Sequence, residues 1–151
     1  MYDTILVPTD GSRGAQTAVE EALDLAETFD ATVHVLYVVE LVYTYDFDPG
    51  RLLEQLEREG ERATREIAAA GEARGIDVVT AVERGTPHRT IVEYATEHDA
   101  DLIVMGTHGR RGVRRALLGS VTERVLRLAD VSVLVTHRAR EGDEADAADA
   151  A

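Results

Sequence analysis

The chain has 151 residues, 44% of them hydrophobic, and contains no cysteine; its sixteen basic residues are all arginine and its net charge is −13. That length suits one domain able to bury about 68–70% of its unfolded surface, and the lack of cysteine excludes a disulfide framework and a thiolate metal centre. The acidic balance argues against general binding to nucleic acid or to anionic membranes. No apolar run approaches the ~20 residues of a membrane span. With no basic, apolar leader at Met1, the expectation is a cytoplasmic protein. An acid-rich surface without lysine also reads as adaptation to a salty, halophilic cytoplasm. On that reading the unfolding midpoint rises steeply between low and molar KCl; a flat response would count against it.

Thr4-Ile-Leu-Val7 is a short β-rich run that ends in a turn cluster, Pro8 to Ser12. Ser12 is placed to cap a helix whose inward face carries Ala15, Ala18, Val19, Ala22, Ala26 and Phe29. Thr32 to Val39 is a second strand, nearly continuous in apolar residues, as parallel strands covered on both faces are. Residues 40–50 read as irregular. A long charged helix follows, with Leu52, Leu53, Leu56, Ala63, Ile67 and Ala70 inward and Gly75 past its end. Gly60 inside it costs roughly 1 kcal/mol against alanine, which favours a bend or fray there.

Ile76 to Val82 alternates as a strand near a sheet edge does. Pro87 opens a short helix with Ile91, Val92 and Ala95 inward. Leu102 to Met105 is a fourth strand, and a glycine-rich stretch follows it. Ser120-Val-Thr-Glu123 has the pattern of a capping box, opening a helix that buries Val121, Val125 and Leu128. Val131 to Thr136 is the last strand. From Ala139 the chain is small and acidic without apolar periodicity, so residues 1–138 read as the domain and 139–151 as a disordered tail.

Alternating strands and helices imply an α/β fold with a parallel sheet wound on both faces. Ligands in such folds bind at the carboxyl ends of strands where the winding reverses. With the order 3-2-1-4-5, the segments that meet there are Pro8–Ser12 and Gly106–Ser120, the two with the most unusual turn chemistry. Backbone amides left free between a strand end and a helix start suit an anion, and the helix dipole adds to them. Gly106 and Gly109 let backbone approach a phosphate and tolerate positive φ. Two residues keep a structural alternative: Ser120 is equally suited to cap its helix, and Asp10 to hold a turn. Arg110, Arg111, Arg114 and Arg115 form the dense basic cluster of the chain. In ~1 M salt the Debye length is about 3 Å, so only an arginine in direct contact would assist a phosphate. His108 reads as solvent-facing.

The chain resembles the universal stress protein family in its nucleotide-binding branch. The resemblance covers essentially residues 2–137, through Ile5-Leu-Val-Pro-Thr-Asp10, Val104-Met-Gly-Thr-His-Gly109 and Gly119-Ser-Val-Thr122. Gly106, Gly109, Gly119 and Ser120 satisfy the family pattern of glycine, two residues, glycine, nine residues, glycine, then serine or threonine. The resemblance implies a flavodoxin/Rossmann-like sandwich, a five-stranded parallel sheet of order 3-2-1-4-5 flanked by four helices. It implies a homodimer joined through the last strand, Val131 to Thr136. It also implies binding of ATP, AMP or ADP, with Mg2+ carried by a triphosphate's own oxygens. By position, Pro8, Thr9 and Asp10 would meet the nucleoside, and Val38 would line the adenine pocket. Met105, Gly106, Gly109, Arg110, Gly119, Ser120, Val121 and Thr122 would surround ribose and phosphates. Ser132 departs from the proline that relatives often carry before the Val-Leu-Val run, which bears on edge geometry and dimer packing.

Other chemistries find less support. A Walker A motif needs a lysine, and neither Gly-x-Gly-x-x-Gly nor Gly-x-Ser-x-Gly occurs. No histidine pair has metal-ligand spacing, and no carboxylate pair is evident for magnesium. The resulting expectation is a regulatory protein in which nucleotide orders the 106–120 loop and changes a dimer or partner surface. Two alternatives stay open: a slow ATP hydrolase or nucleotidyl-transfer enzyme, and a ligand-free interaction dimer.

Overall fold

The computed structural model describes residues 1–40, 49–107 and 118–137. Five strands, β1 (Thr4–Thr9), β2 (Thr32–Val39), β3 (Val78–Arg84), β4 (Leu102–Gly106) and β5 (Ser132–Thr136), alternate with four helices. These are α1 (Arg13–Phe29), α2 (Pro49–Ala73), α3 (Pro87–Glu97) and α4 (Ser120–Leu128). The strands form one all-parallel sheet in the order β3-β2-β1-β4-β5, as the alternation of elements and the family resemblance imply.

Two cores lie on opposite faces of the sheet. On one, α1 and α2 cover Ile5, Val7, Val33, Val35, Leu102 and Val104 with Ala18, Ala22 and Ile67. On the other, α3 and α4 cover Leu6, Leu36, Ile103 and Met105 with Ile91, Tyr94 and Val125. Leu6 and Val7, adjacent in β1 and both fully buried, point to different cores. This is why a central parallel strand reads as an unbroken apolar run rather than an alternating one.

α2 keeps most of its expected face, with Ile67 buried and Leu52, Leu53 and Leu56 half-buried. Its sheet-facing stripe includes Gly60, Thr64, Ile67 and Gly71, all buried, whereas Ala70 is exposed and Ala63 half-buried. The cause is close approach. A Cβ on Gly60 would stand 2.6 Å from Cδ1 of Tyr37, and one on Gly71 would stand 2.5 Å from Cγ2 of Val78. Gly60 therefore neither bends nor frays the helix, which runs unbroken from Pro49 to Ala73. Its role is to let α2 lie flat on β2. Arg74, just past α2, pairs with Asp24 at 2.7 Å and with Glu27, tying the ends of α2 and α1 together. Arg74 holds the Glu27 carboxyl below its ordinary range.

Several boundaries shift, those of β4 and β5 by one residue each. β1 runs on to Thr9, so Pro8 and Thr9 belong to the strand and not to the turn. β3 begins two residues later than expected and reaches Arg84. α2 begins at Pro49, inside the stretch read as irregular.

A cluster of rings packs β2 against α3. His34 Nδ1 lies 2.8 Å from the Tyr94 hydroxyl, and the rings of Tyr94 and His98 stack with centroids 3.8 Å apart. Burial lowers the pKa of His34 from 6.5, and the neighbouring charge of His98 lowers it further. The unfolded chain therefore takes up this proton first as pH falls. His34 contributes stability that is fully present above about 6.5 and is lost as pH drops toward the folded-state value. Thermal unfolding is accordingly expected at a lower temperature at pH 5.5 than at pH 7.5. Replacing His34 by Gln should shrink that difference, and an unchanged difference would contradict this account.

Candidate functional site

The hydrogen-bond ladders around β1 stop at different heights. β1 pairs with β2 as far as Thr9 opposite Tyr37, but its pairing with β4 covers only Ile5 opposite Leu102 and Leu6 opposite Ile103. At the amino end the two strands are pinned, because the Asp101 carboxylate accepts from the amides of Asp3 at 2.9 Å and Thr4 at 3.0 Å. Beyond Leu6 and Ile103 they part. Pro8, in that stretch, has no N–H with which to extend a ladder. The winding of the sheet reverses between these two strands, and doubly wound sheets have their crevice at the carboxyl edge of such a reversal.

The β2 side of this crevice exposes an incomplete rung. In the parallel pairing Thr32 donates to Asp3 O at 2.9 Å and Val33 to Asp77 O at 2.9 Å, so even-numbered residues of β2 address β1 and odd-numbered ones β3. Gly85 accordingly donates to Val39 O at 3.1 Å from the β3 side. The Val38 carbonyl addresses β1, where the next rung calls for the amide of Gly11. That amide turns instead to Thr9 Oγ1 at 3.1 Å. The Val38 side chain is half-buried and packs on the α3–α4 core, so the group it offers at the crevice is backbone.

Asp10 closes the turn after β1: its Oδ1 accepts from the Ser12 amide at 2.9 Å. Ser12 then caps α1, accepting from Ala15 N at 3.3 Å. The structural role considered for Asp10 is thus present, and it fixes the carboxylate at the rim of the crevice. Next to it a groove of about 740 Å³ runs between α1 and α2, lined among others by Thr9, Ser12, Val19, Tyr37 and Ile67.

Gly106 ends β4 at the opposite wall. A Cβ there would stand 2.7 Å from the carbonyl oxygen of Gly14, in the first turn of α1. It is not among the described glycines with positive φ. Glycine is required here by the passing backbone of α1, not by an unusual dihedral. Met105 is buried at 5% exposure, so its side chain belongs to the core.

The start of α4 corrects the capping expectation. Gly119 is the N-cap, with φ −60° and ψ 151°, and Ser120 is the first helical residue. The Gly119 carbonyl accepts from Glu123 N at 3.0 Å, while the Gly119 amide donates to Thr107 O at 2.6 Å. That second bond holds Gly119 one residue ahead of the expected cap. Glu123 pairs with Arg127 at 2.8 Å and closes no capping box. Ser120 is exposed, and the amides of Ser120, Val121 and Thr122 are those an α-helix leaves without intrahelical partners. Thr122 points the other way: it is 4% exposed and its hydroxyl donates to Gly106 O at 2.8 Å. Val121 is half-buried, and Leu128, expected inside, is 52% exposed.

Pro8, Thr9, Asp10, Val38, Met105, Gly106, Gly119, Ser120, Val121 and Thr122 therefore lie on elements that reach one edge of the sheet. Gly109 and Arg110, with His108, Arg111, Arg114 and Arg115, lie outside the described residues. Sequence reasoning missed Gly14, Thr107 and Thr136, whose parts are played by backbone or by small hydroxyls. Among the described residues no group of three or more histidine or carboxylate side chains is arranged to hold a metal ion. None of their helices is long and apolar enough to cross a membrane.

Strand order and crevice together define a doubly wound α/β domain of the Rossmann-like class. The chain belongs to the universal stress protein family, whose model matches residues 1–137. A universal stress protein of Methanocaldococcus jannaschii, MJ0531, is 38% identical over 146 residues, which is 93% of this chain and 85% of the relative. The solved structure of MJ0577, from the same organism, matches with a TM-score of 0.83 at 31% identity, covering 93% of this chain and 99% of that one. A universal stress protein solved in complex with cAMP matches with a TM-score of 0.68 at 30% identity, covering 90% and 97%.

Proposed function

We propose that this protein binds an adenine nucleotide, ATP, AMP or ADP, in the crevice between β1 and β4 and acts as a nucleotide-responsive regulator. The observation that carries the reading is the incomplete rung at Val38. On the same face of the sheet α4 begins, a helix whose first amides have no intrahelical partners. A carbonyl without a ladder partner suits the exocyclic amine of adenine, and the Asp10 carboxylate suits a ribose hydroxyl or the same amine. The amides of Ser120 and Val121, with the exposed Ser120 hydroxyl and the dipole of α4, suit phosphate oxygens. The relative solved with cAMP supports the ligand class. Magnesium, where a triphosphate brings it, would be held by phosphate oxygens and water.

In this reading residues 1–138 form the binding unit, Gly109 and Arg110 complete the phosphate side, and a second copy pairs along Val131–Thr136. Titration calorimetry in molar KCl with ATP, AMP and GTP tests it. Saturable uptake of the adenine nucleotides with GTP bound more weakly is the expected result. Equal binding of GTP would remove the role given to Val38.

A further inference from the structure

Four hydrogen bonds join the end of β4, the start of α4 and the end of β5, and three threonines take part in them. Thr122 Oγ1 donates to Gly106 O at 2.8 Å. Gly119 N donates to Thr107 O at 2.6 Å, and Thr107 N donates to Thr136 O at 3.1 Å. Thr136 Oγ1 donates to Met105 O at 3.3 Å. The end of β4 and the start of α4 are thereby clasped to each other and to the last residue of β5.

We propose that Thr122 and Thr136 are positioning residues that form a latch between β4, α4 and β5, setting the aim of the α4 amides and coupling the site to the edge strand. The proposal rests on the nucleotide reading above. Thr122 was grouped with phosphate contacts by position. Its hydroxyl is turned inward, 4% exposed and engaged with the strand, so it acts through the backbone.

The geometry explains the residue type. A hydroxyl at the third helical position reaches a carbonyl sixteen residues earlier in the chain. Without it the Gly106 carbonyl would lose this bond in a part-buried setting, and an unmade bond there costs more than a formed one contributes. Thr136 makes the same kind of contact from β5, so the end of β4, the start of α4 and the final strand form one hydrogen-bonded unit. Phosphate drawn to the α4 amides would then stiffen β5 as well as the end of β4.

The test compares Thr122→Val, Thr122→Ser and Thr136→Val in the full chain, using ATP with Mg2+ and AMP as probes. Calorimetry should show Thr122→Val weaker in affinity by up to about tenfold, the limit reached when the nucleotide must restore the ~1 kcal/mol of α4 positioning that the bond otherwise supplies. Thr122→Ser should stay within about threefold of the parent, because it keeps the hydroxyl. Thr136→Val should fall between them, given its longer bond. Amide exchange on the nucleotide-free protein is the second arm. Thr122→Val should speed exchange at Thr107 and Gly119 by about tenfold, with the β1 amides unchanged.

Parent-like affinity in Thr122→Val would overturn the latch, as would equal losses in the Ser and Val variants, which would assign the effect to shape. If the parent takes up neither probe, the nucleotide reading fails, and the exchange arm decides the latch by itself. Unchanged exchange at Thr107 and Gly119 then overturns it.

Discussion

Gly106→Ala is expected to destabilise the fold and to abolish nucleotide uptake together. The added Cβ would stand 2.7 Å from the Gly14 carbonyl oxygen and 3.0 Å from its carbon, and both are backbone atoms that no rotamer change can move aside. Relief requires the end of β4 to withdraw from α1, or α1 to shift along the sheet. Overpacking of this kind costs about 1–3 kcal/mol. For a domain of this size that lowers the melting temperature by several degrees. The same displacement drags the partners of Gly106 and Thr107, namely Thr122 and Gly119, so the α4 amides lose their aim. Gly106→Val should be worse in both respects. Denaturant unfolding and calorimetry on one preparation check the pairing of effects. An alanine variant with parent stability and affinity would mean that α1 yields freely at Gly14.

Replacing Asp10 separates its part in the turn from the ligand contact proposed for it. Asp10→Asn keeps an Oδ1 acceptor for the Ser12 amide, so the turn and the cap of α1 should survive, with stability within about 0.5 kcal/mol of the parent. The charge is lost, however, and a charge-assisted bond to a ribose hydroxyl or an amine is worth about twice a neutral one. Affinity is therefore expected to fall about tenfold. Asp10→Ala removes both functions: affinity should fall by a further factor of a few, and about 1 kcal/mol of stability should go with the turn and cap. If Asn matches the parent in affinity while Ala does not, Asp10 serves the turn alone.

Much of this architecture was legible in the residues. Nearly continuous apolar runs at Thr32–Val39 and Leu102–Met105 can be central parallel strands, and Gly106 and Gly119 marked the end of β4 and the start of α4. What escaped were features set by how closely backbones pass. The part of Gly60, Thr64 and Gly71 in the inward face of α2 carries little apolar signal, yet they face the sheet because the helix lies so near it. Ser120 fits a capping box by composition. The cap is decided instead by the bond from the Gly119 amide to Thr107 O, between residues far apart in sequence. Thr122 was legible as part of a motif, but its direction depended on which carbonyl stood beneath it. The part of Val38 depends on where a ladder ends, and a ladder's end is a property of two strands rather than of one.

The account turns on where an adenylate sits. The most direct measurement is a titration of amide-resonance shifts of the isotopically labelled protein with ATP and Mg2+ in molar KCl. The expected changes cluster at Asp10–Ser12, Val38–Val39 and Ser120–Thr122, with smaller ones at Thr136. Changes confined to the groove between α1 and α2, around Val19, Tyr37 and Ile67, or no change at any amide, would contradict it.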